Sequence, residues 1–249
     1  MKIIYIILAL VFTLVGCAPK ESNADKAQAL LQKTIQAHGG KQFFNSTISF
    51  DLKELKYHLE RRDNISNFTV TRQADSTQYK ATYENGYGSY FINDSLQEET
   101  LYSRRFLDSR VEGFVYLLSF PFVLDQNSII LEQKEDVLIR RKNYHVLRAT
   151  VREVDDFISE NEFYLYINAE TFIIEFTAER FDLVGDRKVF RRNFNERQIN
   201  GLHFFDSYLY RPKKMERALD SLYLDYDIPN MEPLKSQELT NINVELHQN

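Results

Sequence analysis

Side chains able to do chemistry are few and dispersed along this 249-residue chain. The five histidines, His38, His58, His145, His203 and His247, stand far apart. None forms the HExxH spacing that sets two imidazoles on one helical face to hold a metal. No GxSxG stretch presents a strained, exposed serine, and the one thiol, Cys17, directly follows a greasy N-terminal run. Gly86-Tyr87-Gly88 lacks the third glycine and the following helix of a dinucleotide loop, and reads as a hairpin turn. The adjacent carboxylates Glu98-Glu99 and Asp155-Asp156 would point to opposite faces of a strand, so neither pair is a glycosidase dyad. His38 ends the apolar face of an amphipathic stretch, where an imidazole bonds the last free helical carbonyls and is favoured by the helix dipole. With no acid or nucleophile at readable spacing, that positional role is preferred to a general base. The residues point to no catalytic set, no metal and no cofactor.

Cys17 has a different use. Lys2 precedes an apolar run of 13 residues, 3–15 (IIYIILALVFTLV), too short for a permanent helical span of roughly 20 residues. It reads as a signal peptide, residues 1–16. Leu14-Val15-Gly16-Cys17 resembles the lipobox of bacterial lipoproteins, in which the thiol is lipidated, the signal is cut before it and the new N-terminus is acylated. Residues 17–25 are then a lipidated cysteine and tether, and residues 26–249 one domain. Ala18, not aspartate, follows the cysteine, which points to the outer membrane as the envelope site, the leaflet being open. With the thiol acylated no disulfide forms, and stability must come from a core.

The mature chain carries 30 basic against 36 acidic residues, which argues against nucleic acid or anionic lipid docking on a basic surface. The pairs Arg61-Arg62, Arg104-Arg105, Arg140-Arg141 and Arg191-Arg192 sit in strand-like, mixed-charge sequence and read as solvated strand faces.

The elements that must position these groups change period once. After a polar cap at residues 22–25, Ala27, Leu30, Leu31, Thr34, Ile35 and His38 recur at helical spacing, and Gly39-Gly40 ends the helix. Beyond it, Ile48, Phe50 and Leu52 alternate with polar residues, then Leu55, Tyr57 and Leu59 alternate out of phase, which predicts a bulge near Lys53-Glu54. Strands follow over 68–72, 78–83, 87–92, 137–141, 144–151, 162–168, 171–181, 188–197, 202–211 and 240–246. Turns are expected at Asn85-Gly86, Lys142-Asn143, Gly185-Asp186 and Asn200-Gly201. Sequential hairpins mean a meandering antiparallel sheet. Residues 106–126 (FLDSRVEGFVYLLSFPFVLDQ) are too densely apolar for a half-exposed strand, and residues 215–225 could form a short helix.

Several stretches together resemble a known family. They are Ala37-His38-Gly39-Gly40 after the helix, residues 116–124 (YLLSFPFVL), Tyr164-Leu165-Tyr166-Ile167 followed by 172–181, and Phe190-Arg191 through Asn200-Gly201-Leu202. The chain is similar in these to uncharacterised Bacteroidota outer-membrane lipoproteins, which themselves resemble the lipoprotein-sorting carrier and receptor LolA and LolB. The resemblance implies a mainly β, α+β fold: a curved antiparallel sheet forming an incomplete β-barrel, closed by the N-terminal helix and one or two short helices, with an apolar cavity. It carries no catalytic residues.

Nineteen Phe and fifteen Tyr, with no Trp, are available to fill or line such an interior. Tyr164 and Tyr166 face one way along a strand and Phe163, Leu165 and Ile167 the other; which face is concave is not readable. The expected function is a membrane-anchored, non-enzymatic envelope lipoprotein that binds a lipid or lipoprotein acyl chain. Phe50 and Phe172, inward by alternation, would line the pocket, with Phe120, Pro121 and Phe122 in a mobile flap. A structural or partner-docking lipoprotein with a packed core is the alternative, and an envelope-polymer hydrolase a weaker one. Asp75-Ser76-Thr77, Asp94-Ser95-Leu96 and Asp220-Ser221-Leu222 match a short O-glycosylation motif, usable where the serine lies on an exposed turn.

Overall fold

The computed structural model describes residues 22–62, 65–84, 87–98, 119–125, 128–152, 160–181, 187–214 and 216–247. Cys17, the lipobox and the signal run lie outside the described residues, as do Asn85-Gly86, Arg104-Arg105 and Gly185-Asp186.

Helix α1 (Asn23–Ala37) opens with a reciprocal cap: the Ser22 hydroxyl accepts from the Asp25 amide, and the Asp25 carboxylate accepts from the Ser22 amide. Ala27, Leu30, Leu31, Thr34 and Ile35 are its buried face, as the spacing predicts. Its glycine stop is required twice over. Gly39 has φ 121°, and a Cβ there would stand 2.4 Å from Leu202 Cδ2 and 2.8 Å from the Gly201 carbonyl oxygen. A 3-10 turn (Gly40–Asn45) then leads into the strands.

The strands are β1 (Ser46–Leu52), β2 (Leu55–Arg62), β3 (Ile65–Ala74), β4 (Thr77–Glu84), β5 (Tyr87–Ile92), β6 (Ser95–Leu96), β7 (Ile129–Ile139), β8 (Lys142–Arg152), β9 (Glu160–Asn168), β10 (Ile174–Phe181), β11 (Arg187–Ile199), β12 (Leu202–Pro212), β13 (Met231–Gln237) and β14 (Leu239–Leu246). They form two seven-stranded antiparallel sheets, ordered β14-β1-β2-β3-β4-β5-β6 and β13-β12-β11-β10-β9-β8-β7. This is the expected mainly β, unclosed architecture, with the meander divided in two. Only Glu238 separates β13 in one sheet from β14 in the other. That crossing is clamped by the buried Asp206 carboxylate, which accepts from the Leu239 amide at 2.9 Å and pairs with the Arg197 guanidinium. Arg197 Nη1 in turn donates to the Leu239 carbonyl at 2.7 Å.

Two local expectations are corrected. Lys53-Glu54 is a hairpin turn between β1 and β2, not a bulge. Leu52 pairs with Leu55 across it, so both strands put their apolar residues on one face and the linear alternation slips by one. Lys53 takes φ 55°, a conformation usually signalled by Asn or Gly, so the sequence carries no turn mark. Likewise the β7–β8 turn is Arg140-Arg141, with φ 46° and 68°, instead of Lys142-Asn143. Tertiary contacts hold it: the Arg140 amide donates to Asp227 Oδ1 at 3.0 Å, and its guanidinium lies 4.5 Å from the Tyr226 ring centre.

Helix α1 packs on β7 and β8, and its apolar face joins one core with side chains from both sheets, including Ile48, Phe50, Leu59, Phe163, Leu165 and Phe204. A second core covers the opposite face of the second sheet. There Tyr144, Tyr164, Tyr166, Phe176 and Phe190 pack under a 3-10 turn (Leu219–Ser221) and helix α2 (Leu222–Asp227), where the sequence allowed a short helix. β9 is therefore buried on both faces: Phe163, Leu165 and Ile167 face the interior with α1, and Tyr164 and Tyr166 face α2.

Candidate functional site

The five residues expected from the sequence to line an apolar pocket reach the interior beneath α1 unequally. Phe50 is 1% exposed and stacks on its cross-strand partner Tyr57 with ring centres 4.8 Å apart. Residues 119–125 contribute to the core shared by α1 and both sheets. Phe122 stacks on Phe43 of the first 3-10 turn at 3.9 Å, Phe120 meets Phe163 edge-on at 5.3 Å, and Pro121 is buried. Asp125 ties the insert to the helix, accepting from Gln28 at 2.8 Å and Gln32 at 3.0 Å. Phe172 reaches the edge of the same core from a turn instead of a strand, at φ 58°. Its ring stacks on His145 and lies 5.2 Å beneath the Lys33 ammonium. The strand expected from 171 begins only at Ile174, so alternation does not apply to Phe172.

One member of each of two arginine pairs read as solvated is corrected, Arg191 and Arg61, while Arg62 is exposed. Arg191 is buried on the interior face of the second sheet, opposite Thr177 in register. Its Nε donates to Glu179 Oε1 at 2.8 Å, and its Nη1 to Gln237 at 2.7 Å. Arg191 Nη2 also donates to Glu179 Oε2 at 3.3 Å, and Thr177 adds a third donor to Glu179 at 2.6 Å. Buried charges persist where their partners are this complete. Arg61 is half-buried with its guanidinium 4.8 Å from the Phe43 ring centre and 5.6 Å from that of Phe44. Its Nε is buried and makes no hydrogen bond among the described residues. Burial pushes the Arg61 guanidinium below its ordinary range. The sequence does hold a signal for it: Leu55, Tyr57 and Leu59 mark an interior row at a spacing of two, and Arg61 is the next member.

His38 is buried at the end of α1, as expected of a helix-end imidazole, but it is not favoured by the helix dipole as a cation. Its Nδ1 donates to the Thr34 carbonyl at 2.8 Å, and its Nε2 accepts from the Ile174 amide at 3.4 Å. That pairing requires the neutral ring, and burial lowers its pKa to about 4. Beside it opens a cleft of about 480 Å³ lined by Lys142, Glu175, Asn193, Glu196, His203 and Phe205 among others. Its carboxylates are occupied by the protein's own donors. Glu175 accepts from Tyr144 at 2.6 Å and Asn168 at 2.7 Å, and Glu196 from His203 at 2.6 Å. Among the described residues no group of three or more His, Cys, Asp or Glu could hold a metal. Of the glycosylation motifs, Ser76 and Ser95 are exposed beside tight turns, and Ser221 is half-buried.

The fold has solved counterparts. A LolA superfamily protein from Nitrosomonas europaea aligns over 89% of this chain and 94% of its own, with a TM-score of 0.50 at 14% identity. A putative outer membrane lipoprotein-sorting protein domain from Vibrio parahaemolyticus aligns over 90% and 93%, with a TM-score of 0.49 at 8% identity. A DUF1329 family protein from Desulfovibrio piger aligns over 90% and 95%, with a TM-score of 0.49 at 6% identity. No curated protein matches the chain in sequence. The family described as "Family of unknown function (DUF6503)" matches residues 2–233, so the chain, with its interior of two unclosed antiparallel sheets, belongs to the DUF6503 family.

Proposed function

We propose that the protein is a lipid-anchored envelope lipoprotein, acylated on Cys17 and held at the outer membrane, that takes a lipid or lipoprotein acyl chain into the interior under α1. The observation that carries this reading is the aromatic insert at 119–125. It is neither strand nor long helix, shares one core with α1 and both sheets, and is bound to α1 through Asp125. A segment of that kind occupies the volume an apolar chain would fill on its withdrawal. The likeness in fold to the LolA superfamily protein is consistent with it. Among the described residues no helix is long and apolar enough to cross a membrane, so the reading assigns attachment to the lipid on Cys17.

The full chain carrying Cys17→Ala is expected to leave the membrane fraction and to bind an environment-sensitive fatty-acid probe saturably. Phospholipid should displace the probe, and Phe120→Ala should weaken binding several-fold with an unchanged circular dichroism spectrum. A packed structural or partner-docking lipoprotein is the second reading, favoured by the Phe43–Phe122 and Phe50–Tyr57 stacks within the interior. Absence of saturable binding would establish that reading in place of the first.

A further inference from the structure

We propose that Arg61 anchors the head group of an anionic amphiphile, a lipid ending in a carboxylate or phosphate, whose chain enters beside Phe43, Phe44 and Phe122. The inference rests on the lipid-binding reading above and names the class of lipid.

The placement of Arg61 is the first argument. Leu55, Tyr57 and Leu59 are buried on the interior face of β2, and Arg61 continues that row toward the end of the strand. An apolar side chain would suit this position, and a cation there is costly to desolvate unless something offsets it. Its neighbours across the ladder are Ser46 on β1 and Ser66 on β3, neither of them charged. Elsewhere Arg148, Arg180, Arg191, Arg197 and Arg217 each meet a carboxylate within ion-pair distance. Arg61 meets none among the described residues; its contacts there are the ring faces of Phe43 and Phe44.

The second argument is what surrounds the cation. Phe43, Phe44 and Phe122 form one aromatic group, with ring centres 3.9 Å apart for Phe43–Phe122 and 5.7 Å for each of the other two pairs. Phe44 is 38% exposed, so this group reaches the surface, while Phe43 and Phe122 belong to the interior core. A ligand seated here meets a guanidinium at one point and a continuous apolar surface leading inward. A planar guanidinium pairs with carboxylate or phosphate through two parallel hydrogen bonds, and rings on which it rests keep its orientation. The chemistry recognised is therefore an anion joined to a hydrocarbon chain.

The test compares cis-parinaric acid with its methyl ester, two fluorescent chains of the same length that differ in the charge of the head, on the full Cys17→Ala chain at pH 8. The acid is expected to bind roughly 10- to 100-fold more tightly than the ester, the worth of one charge-assisted pair. Arg61→Met, which keeps an apolar stem of similar length, should abolish that preference while leaving the ester's affinity unchanged. Arg61→Lys, which keeps the charge, should retain part of it; urea midpoints and circular dichroism of both variants establish that they are folded. Displacement of the acid by phosphatidylglycerol but not by inorganic phosphate supports a lipid head group. Displacement by phosphate alone would make this a free-anion site and overturn the proposal. Equal binding of acid and ester, or equal weakening of both by Arg61→Met, overturns the role of Arg61 and leaves the lipid-binding reading standing. Binding of neither probe removes that reading and this inference with it.

Discussion

Arg191→Ala is expected to destabilise the protein by about 3–5 kcal/mol, the loss that follows when one member of a buried ion pair is removed and the other is left behind. Side-chain exposure is 8% for Arg191 and 2% for Glu179, so neither charge is shielded by water. Without the guanidinium, Glu179 keeps only the Thr177 hydroxyl as a side-chain donor, and Gln237 loses its partner on β11. The damage reaches across three strands, because β10, β11 and β13 meet through this one side chain. Urea unfolding should show a lower midpoint at an unchanged slope, and thermal unfolding a fall on the order of 10 °C. The double variant Arg191→Met with Glu179→Leu removes both charges and should recover most of the loss, since an apolar pair of similar volume carries no desolvation penalty. If the single variant unfolds within about 1 kcal/mol of the parent, the pair is not the unit that holds this face.

The limits of reading this molecule from its sequence follow the range of the forces involved. Helix α1 is legible because its cap, its apolar stripe and its glycine stop all lie within a few residues of one another. β5 has the bounds its residues predict, and the Asn200-Gly201 turn stands where expected, with φ 48° and 81°. Turns made by Lys53-Glu54 and Arg140-Arg141 are not legible, because their left-handed residues are of types that ordinarily avoid that conformation, and the second is held there by distant contacts. The division into two sheets is equally hidden. At the crossing, Arg197 on β11 and Asp206 on β12 grip Leu239, a relation that no local pattern encodes.

For the interior, alternation shows that β9 has an apolar or aromatic face on each side but not which side meets α1. Only the positions of α1 and α2 on opposite faces decide that. Phe50 is legible as inward, since it lies mid-strand between buried Ile48 and Leu52. Phe172 is not, because the strand to which alternation assigns it starts two residues later. The arginines mislead because charge alone does not fix exposure. Glu179 supplies the reason Arg191 can be buried, and it lies twelve residues earlier in the chain, across a hairpin.

Acidification should weaken the protein through His38. Buried between α1 and β10, the ring donates from Nδ1 to Thr34 and accepts at Nε2 from the Ile174 amide, so a proton on Nε2 breaks the second contact and places a charge in the core. Burial, with a smaller contribution from the neighbouring His203 whose ring centre is 6.4 Å away, holds its pKa at about 4 against an ordinary 6.5. Because the folded value is depressed, the unfolded chain binds a proton that the folded chain refuses. Stability from this residue is therefore complete above pH 6.5 and is lost as pH falls toward 4, amounting to about 2 kcal/mol by pH 5 and about 3 kcal/mol by pH 4. His38→Gln cannot titrate, and it can still present an amide donor and a carbonyl acceptor at the helix end. It should be less stable than the parent at pH 8 but show a shallower fall between pH 6.5 and 4, measured as urea midpoints across that range. Parallel curves for parent and variant would show that His38 titrates normally and that its ring is not the neutral bridge between α1 and β10.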